Sequence, residues 1–323
     1  MSSGVDLSDH TGFERAFQQG RLSLGFIMAI ESYKGAVPTL ANHAELACRA
    51  EELGFAALWA RDVPLLDPNF GDVGQVFDPF VYLGYLAAKT ERIALGTSSA
   101  VLPLRHPIHL AKAAASVDQL SGGRLLLGVA SGDRPVEYPA FDIDFETRGQ
   151  RFQDTFQALR QLTEETFPKF CTKGLISMDG QTDLLPKAVH NRIPALVTGT
   201  SRQSLQWIAE HADGWLYYIL DHQTLRAAAK DWHALVAKHC PGKFKPMLQG
   251  MNFDLAANPN EMPQKIHSGY RMGRNALIQF LKEDERIGVS HMAFNLKYGS
   301  RAAAEVMEEL AEFVLPHFPS HYA

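Results

Sequence analysis

The polar groups best suited to chemistry in this chain gather where strand-like runs end. Thr97, Ser98 and Ser99 follow "RIALG", Ser131 and Gly132 follow "RLLLGVA", and Gly199, Thr200 and Ser201 follow "PALVT". Hydroxyls and glycines are poor acids and bases. They donate hydrogen bonds and let a large planar ligand lie against the backbone, so a site built from them takes its reactivity from a bound cofactor. The stretch "VTGTSRQSLQW" (197–207) adds a phosphate candidate. Gly199 closes a strand, Thr200 or Ser201 opens a helix, and free N–H groups there face outward beside Ser204. A plain capping box is the other reading, because Thr200 and Gln203 have the T-x-x-Q spacing. Arg202 favours the anion, since a cation in a first helical turn opposes the macrodipole unless negative charge is near.

Other chemistries have less to work with. Strand-like run 1 ends "FIMAIES" with no His-x-His, and His106 and His109 are too few for a metal site, reading as a helix cap and a surface group. A Schiff-base lysine needs a strand position facing a cavity; Lys297 is the one candidate and reads as a solvated group. There is no G-x-S-x-G nucleophile elbow. Cys48, Cys171 and Cys240 are far apart and odd in number, which suits unpaired thiols in a reducing cytoplasm. The 31 Lys and Arg against 36 Asp and Glu give a net charge of −5 with no basic block, which argues against nucleic acid. The first twenty residues hold no long apolar run, so neither a signal peptide nor a membrane span is expected, and the expected location is cytoplasmic.

The elements that must carry these clusters alternate along the chain. Near-continuous apolar runs at 22–30, 56–60, 92–98, 124–130, 194–199, 214–219, 246–256 and 291–296 read as parallel strands buried on both faces. Helical patterns occupy 39–53, 78–90, 107–120, 149–166, 201–212, 223–239, 274–288 and 301–314. Eight βα units predict an α/β fold, a (β/α)8 TIM barrel, and 323 residues suffice for one. An open doubly wound sheet is the alternative, but the G-x-G-x-x-G turn after its first strand is missing. One domain is expected over 1–323, with 1–20 as an N-terminal extension. The insertions follow strand 2 (61–77), the fourth unit (167–193, with a small hairpin) and strand 7 (257–273). The last is expected to be a mobile lid with Tyr270 and Arg271 at its tip.

With "IALGTSSAVLPLRHPIHLAKAAASVDQLSGGRLLLGVASGD" (93–133), "AELACRAEELGFAALW" (44–59) and "FDIDFETRGQRFQDTFQALRQL" (141–162) in this order, the chain resembles the bacterial-luciferase-like flavin-dependent oxidoreductases over residues 22–315. The resemblance implies a (β/α)8 barrel with a non-prolyl cis peptide at Ser98–Ser99 beneath the isoalloxazine ring. It implies Ser131 and Gly132 on the ribityl-phosphate side, and Gly199, Thr200, Ser201 and Ser204 in the phosphate loop. It also implies Asp62 near the flavin, and Glu137 and Arg148 at the start of helix 4. The sequence departs from the family after strand 2. Val63 and Pro64 stand where many members carry histidines, so no catalytic role is carried over; Asp62, Tyr138 and Arg271 are the candidates, with Tyr33 and Arg61 nearby.

The function so implied is a monooxygenase that takes reduced FMN from a separate flavin reductase and, with O2, oxygenates a small organic substrate. The alternatives are an F420-dependent oxidoreductase on the same scaffold and a non-catalytic flavin-binding protein. A homodimer is expected, with small-residue faces in "LGYLAAKT" and "HLAKAAASVDQL" packing across a two-fold.

Overall fold

Runs such as "LLLGVA" form strands because both of their faces find apolar partners. In β4 (Leu125–Ala130), Leu125, Leu127 and Val129 face the surrounding helices while Leu126 points into the barrel, the two-residue period of a pleated strand. The computed structural model describes residues 7–70 and 76–320. The first six residues of the expected extension, residues 71–75 of the expected insertion after strand 2, and residues 321–323 lie outside the described residues.

Among the described residues, eight strands close on themselves: β1 (Ser23–Ile27), β2 (Ala57–Ala60), β3 (Ala94–Val101), β4, β5 (Ala195–Thr198), β6 (Gly214–Tyr218), β7 (Met247–Leu255) and β8 (Val289–Asn295). Every neighbouring pair is parallel, and β8 returns to β1 with Ser23 opposite His291. Each strand is followed by its helix: α1 (His43–Glu52), α2 (Pro79–Ala87), α3 (Pro107–Leu120), α4 (Arg148–Glu164), α5 (Leu205–His211), α6 (His222–His239), α7 (Arg274–Ile287) and α8 (Ala303–Phe313). The fold is therefore the expected (β/α)8 barrel.

The N-terminal end of the barrel is filled. A Cβ on Gly96 would lie 2.3 Å from the Trp59 ring, and one on Gly25 2.9 Å from the ring of His291. Glycine at both places makes room for those two side chains. His291 is fully buried and accepts from Trp59 Nε1 at 3.0 Å; its Nδ1 then donates to Ser23 Oγ at 2.7 Å, and Ser23 donates to the Ala16 carbonyl. Burial pushes the imidazole down to about 3, so it sits neutral. The short helix Thr11–Ala16, part of the expected extension, covers this end with Phe13 and Phe17. Chemistry is left to the C-terminal mouth.

Two expectations need correction. Helix α5 begins at Leu205, not at 201, because Ser204 is its N-cap and accepts from Trp207 N at 3.1 Å. Gly199, Ser201 and Arg202 all have positive φ (57°, 45° and 63°), so the chain there is a left-handed turn and not a helix start. The segment 257–273 is not an open loop. Gln264–Ile266 and Gly269–Met272 form a hairpin whose second strand pairs in parallel with β7, Tyr270 opposite Phe253 and Arg271 opposite Asp254. Tyr270 and Arg271 therefore lie against the barrel and away from the hairpin turn. The hairpin expected in 167–193 is present as Lys169–Thr172 paired with Ile176–Asp179, beyond the end of α4.

Candidate active site

At the mouth, β3 carries the Ser98–Ser99 peptide in the cis form, and Met28–Ala29 after β1 is cis as well. The ladder between β3 and β4 is interrupted between Thr97 and Ala100. Thr97 Oγ1 donates to the Gly128 carbonyl at 2.6 Å, and the hydroxyls of Ser99 and Thr198 hydrogen-bond to each other across the barrel. Thr198, one residue before the Gly199 cluster, thereby joins the candidate site, which the strand-end pattern alone did not single out.

The ends of β4 and β5 meet in the same way. Ser131 N donates to Ser201 Oγ at 3.3 Å, and Ser201 Oγ donates to the Thr198 carbonyl at 2.8 Å. Gly132 has φ +78°, and a Cβ there would lie 2.6 Å from the Tyr138 hydroxyl and 2.8 Å from Val101. Tyr138 is buried and donates to the Ser131 carbonyl, and burial pushes its hydroxyl up to about 12. It braces the end of β4 and turns no free hydroxyl toward the mouth.

The turn at 199–204 docks on the first turn of α4. A Cβ on Gly149 would lie 2.9 Å from the Cβ of Arg202, and Gln203 Nε2 donates to the Gly149 carbonyl at 2.9 Å. Thr147, the N-cap of α4, makes no side-chain cap bond. The 3-10 turn Phe145–Thr147 runs directly into this 17-residue helix: Asp144 caps the turn by accepting from Glu146 N, and Arg148 N donates to the Phe145 carbonyl. Arg148 stacks 3.5 Å from the Phe145 ring centroid and donates to the Phe145 carbonyl at 2.7 Å, while its buried Nε has no hydrogen-bond partner among the described residues. Thr200 is exposed. Ser204 is occupied as the cap of α5.

Asp62, just past β2, is bound on three sides. It accepts from Val101 N at 2.9 Å and from Arg105 Nε and Nη2 at 2.9 and 2.8 Å. Arg105 also donates to Asp78 at 2.8 Å, and Asp78 caps α2 by accepting from Phe80 N and Val81 N. Burial works against the charge on Asp78, but Arg105 and the helix N–H groups hold its carboxyl below the usual range. This clamp floors a cavity of about 310 Å³ whose lining mixes Asp62, Asp78 and Arg105 with Val63, Pro64, Phe77, Leu104 and Phe141. Arg105 lies inside the "LPLRHP" stretch, yet nothing in its spacing reveals that it would reach back to strand 2.

The other candidates are dispersed. Glu137 is buried, which pushes its carboxyl up; it lies 3.8 Å from Arg134 and accepts from Leu65 N at 3.4 Å. Arg271 is held by Asp254 and by Glu261 at 2.8 Å, as a staple of the hairpin on β7. Tyr33 and Arg61 are half-buried. Lys297 corrects its expectation as a solvated group: it is 5% exposed, its ammonium 5.2 Å from the Tyr33 ring and 5.5 Å from the Tyr298 ring. His106 caps α3, accepting from Ile108 N at 3.3 Å. Among the described residues there is no group of three or more His, Cys, Asp or Glu that could hold a metal ion, and no helix long and apolar enough to cross a membrane.

Comparison with known proteins agrees with the barrel fold. The family model described as luciferase-like monooxygenase matches residues 21–315. The chain spans about half the length of the curated relatives it matches; one, an uncharacterized protein of Mycobacterium tuberculosis, is 38% identical over 146 residues, 44% of this chain and 50% of that one. An F420-dependent secondary alcohol dehydrogenase in complex with an F420-acetone adduct superposes with a TM-score of 0.75 at 14% identity, covering 93% of this chain and 100% of that one. The oxygenating constituent of 3,6-diketocamphane monooxygenase of Pseudomonas putida, in complex with FMN, superposes with a TM-score of 0.69 at 12% identity, over 92% and 98%. At such identities the superpositions speak for the fold alone.

Proposed function

The chain belongs to the luciferase-like monooxygenase family, and we propose that within it this protein is an FMN-dependent monooxygenase that oxygenates a small, neutral organic substrate. The observation that carries the reading is the orphaned Nε of Arg148, at the start of the helix on which the turn at 199–204 docks. A buried guanidinium N–H without an acceptor is costly, and a phosphate monoester supplies that acceptor together with charge. Gly132, the Ser131 backbone and the hydroxyls of Ser99, Thr198 and Ser201 gather small polar groups at the strand ends between that turn and Ser98–Ser99. These residues fit FMN.

Bound reduced FMN supplies the electrons that activate O2. The protein's own groups bind and orient. Arg148, Gly132, Ser131 and Ser201 hold the phosphate and ribityl end. The small residues around Ser98–Ser99 let the ring approach β3, and the cavity above the Asp62–Arg105 clamp takes the substrate. Because Arg105 is already paired with both Asp62 and Asp78, a neutral substrate suits the cavity better than an anionic one. Reduced FMN comes from a separate flavin reductase in this reading, and the protein resides in the cytoplasm. A second copy of the chain packs on α2, whose segment holds no charged residue and exposes Val81 and Tyr85.

Fluorescence titration with FMN, riboflavin and F420 tests the cofactor assignment. FMN should bind at least tenfold tighter than riboflavin, about the value of one charge-assisted hydrogen bond. Tight F420 binding with weak FMN binding would overturn it in favour of the deazaflavin. FMN binding with no substrate-dependent O2 uptake would leave a flavin-binding protein.

A further inference from the structure

On the outer wall of the barrel, α6 and α7 flank an open groove of about 230 Å³ lined by Arg226, Lys230, His233, Glu283, Arg286 and Ile287, with the three cations exposed to solvent. Residues 226, 230 and 233 follow helical spacing, so α6 turns all three to one side. Three permanent cations meet a single carboxylate there. Glu283 accepts from both Arg226 and Arg286, so its charge is divided between two guanidiniums. Lys230 makes no hydrogen bond or ion pair among the described residues. Two positive charges are left in excess, on a chain whose net charge is −5.

The wall beside them is built to hold an imidazole. Gly288 ends α7 at φ +109°, and a Cβ there would lie 2.4 Å from the His233 ring, so glycine serves both the turn and the ring. Its packing on Gly288 partly desolvates the ring and pushes His233 below its ordinary value, while the residue as a whole stays solvent-exposed and its neutral imidazole can donate or accept.

We propose that the α6–α7 groove binds a phosphate-type dianion, either inorganic phosphate or the phosphoryl end of a mononucleotide. A dianion balances the excess charge, and guanidinium forks match its oxygens in geometry. The site is independent of the flavin reading, because it shares no residue with the mouth.

Proton NMR of the His233 imidazole, followed during titration with inorganic phosphate and separately with AMP, tests this at the site itself. A saturable shift is expected, and the imidazole should titrate at higher pH with ligand bound because a nearby anion favours its protonated form. Lys230→Glu should weaken the midpoint tenfold or more, Lys230→Gln should weaken it less, and Lys243→Glu, the same charge change on an exposed lysine elsewhere, should leave it unchanged. Equal midpoints for phosphate and AMP identify the phosphoryl group alone as the ligand; a tighter AMP midpoint identifies a mononucleotide. No saturable His233 shift with either ligand, or equal midpoints in wild type and Lys230→Glu, would overturn the proposal.

Discussion

Asp62→Asn is the substitution that best separates a structural clamp from a catalytic acid. The Asp62 side chain is 2% exposed and Arg105 23% exposed, and they share two hydrogen bonds of 2.8–2.9 Å. Removing one partner of a buried ion pair costs about 3–5 kcal/mol. Arg105 keeps some solvent and its bond to Asp78, which places the loss at the lower end, about 3 kcal/mol. At a urea dependence of about 3 kcal/mol per molar, the midpoint should fall by about 1 M. Arg105→Met should fall comparably, and Asp62→Asn in that background should cost under about 1 kcal/mol more, since the pair is already broken. Urea unfolding of the four proteins gives the coupling directly. If Asp62→Asn keeps the wild-type midpoint while turnover collapses, Asp62 acts on the reacting groups and the clamp account is wrong.

Three further outcomes follow from the same geometry. Arg148→Ala should weaken FMN by about tenfold to a hundredfold and leave riboflavin nearly unchanged, because a charge-assisted hydrogen bond is worth about 1.5–3 kcal/mol; equal losses for both flavins in a fluorescence titration would remove Arg148 from the phosphate. His291 stays neutral in the fold to about pH 3, while in the unfolded chain it takes a proton near 6.5. Its contribution is therefore complete above 6.5 and is lost as pH falls, by about 1.4 kcal/mol per pH unit. His291→Gln should then be costly at pH 7.5 and progressively less so toward pH 4.5 in denaturation series, and a cost independent of pH would contradict a neutral buried imidazole. Val81→Lys on the exposed face of α2 should shift the protein toward monomer in light scattering, whereas an unchanged mass would move the dimer contact elsewhere.

The barrel was legible because its signal is repeated and redundant. Runs such as "RLLLGVA" and "RIALG" bury both faces, and their spacing leaves little choice of architecture. The small residues at Ser98–Ser99, Ser131 and Ser201 were legible for a related reason: a run of hydroxyls at a strand end is unusual, and here three such ends meet. What the residues do to one another was less visible. The T-x-x-Q spacing of Thr200 and Gln203 pointed to a cap, but positive φ at Gly199, Ser201 and Arg202 pushes the helix start to Ser204. Arg271 looked like the tip of a lid. Its pairing with Asp254 depends on a hairpin turn at His267–Ser268 that lays the strand beside β7. Arg105 gave no sign at all, since its partner Asp62 is 43 residues away.

In the proposed reaction, reduced FMN, O2 and a neutral substrate meet at this mouth. The most direct measurement supplies the protein with FMN, NADH, a generic flavin reductase and 18O2, and presents a panel of small neutral molecules matched by anionic analogues. Substrate-dependent O2 uptake is expected with a neutral member of the panel, with one labelled oxygen atom in its product. Oxidation of reduced F420 by substrate without oxygen, with no labelled product from reduced FMN, would contradict this reaction.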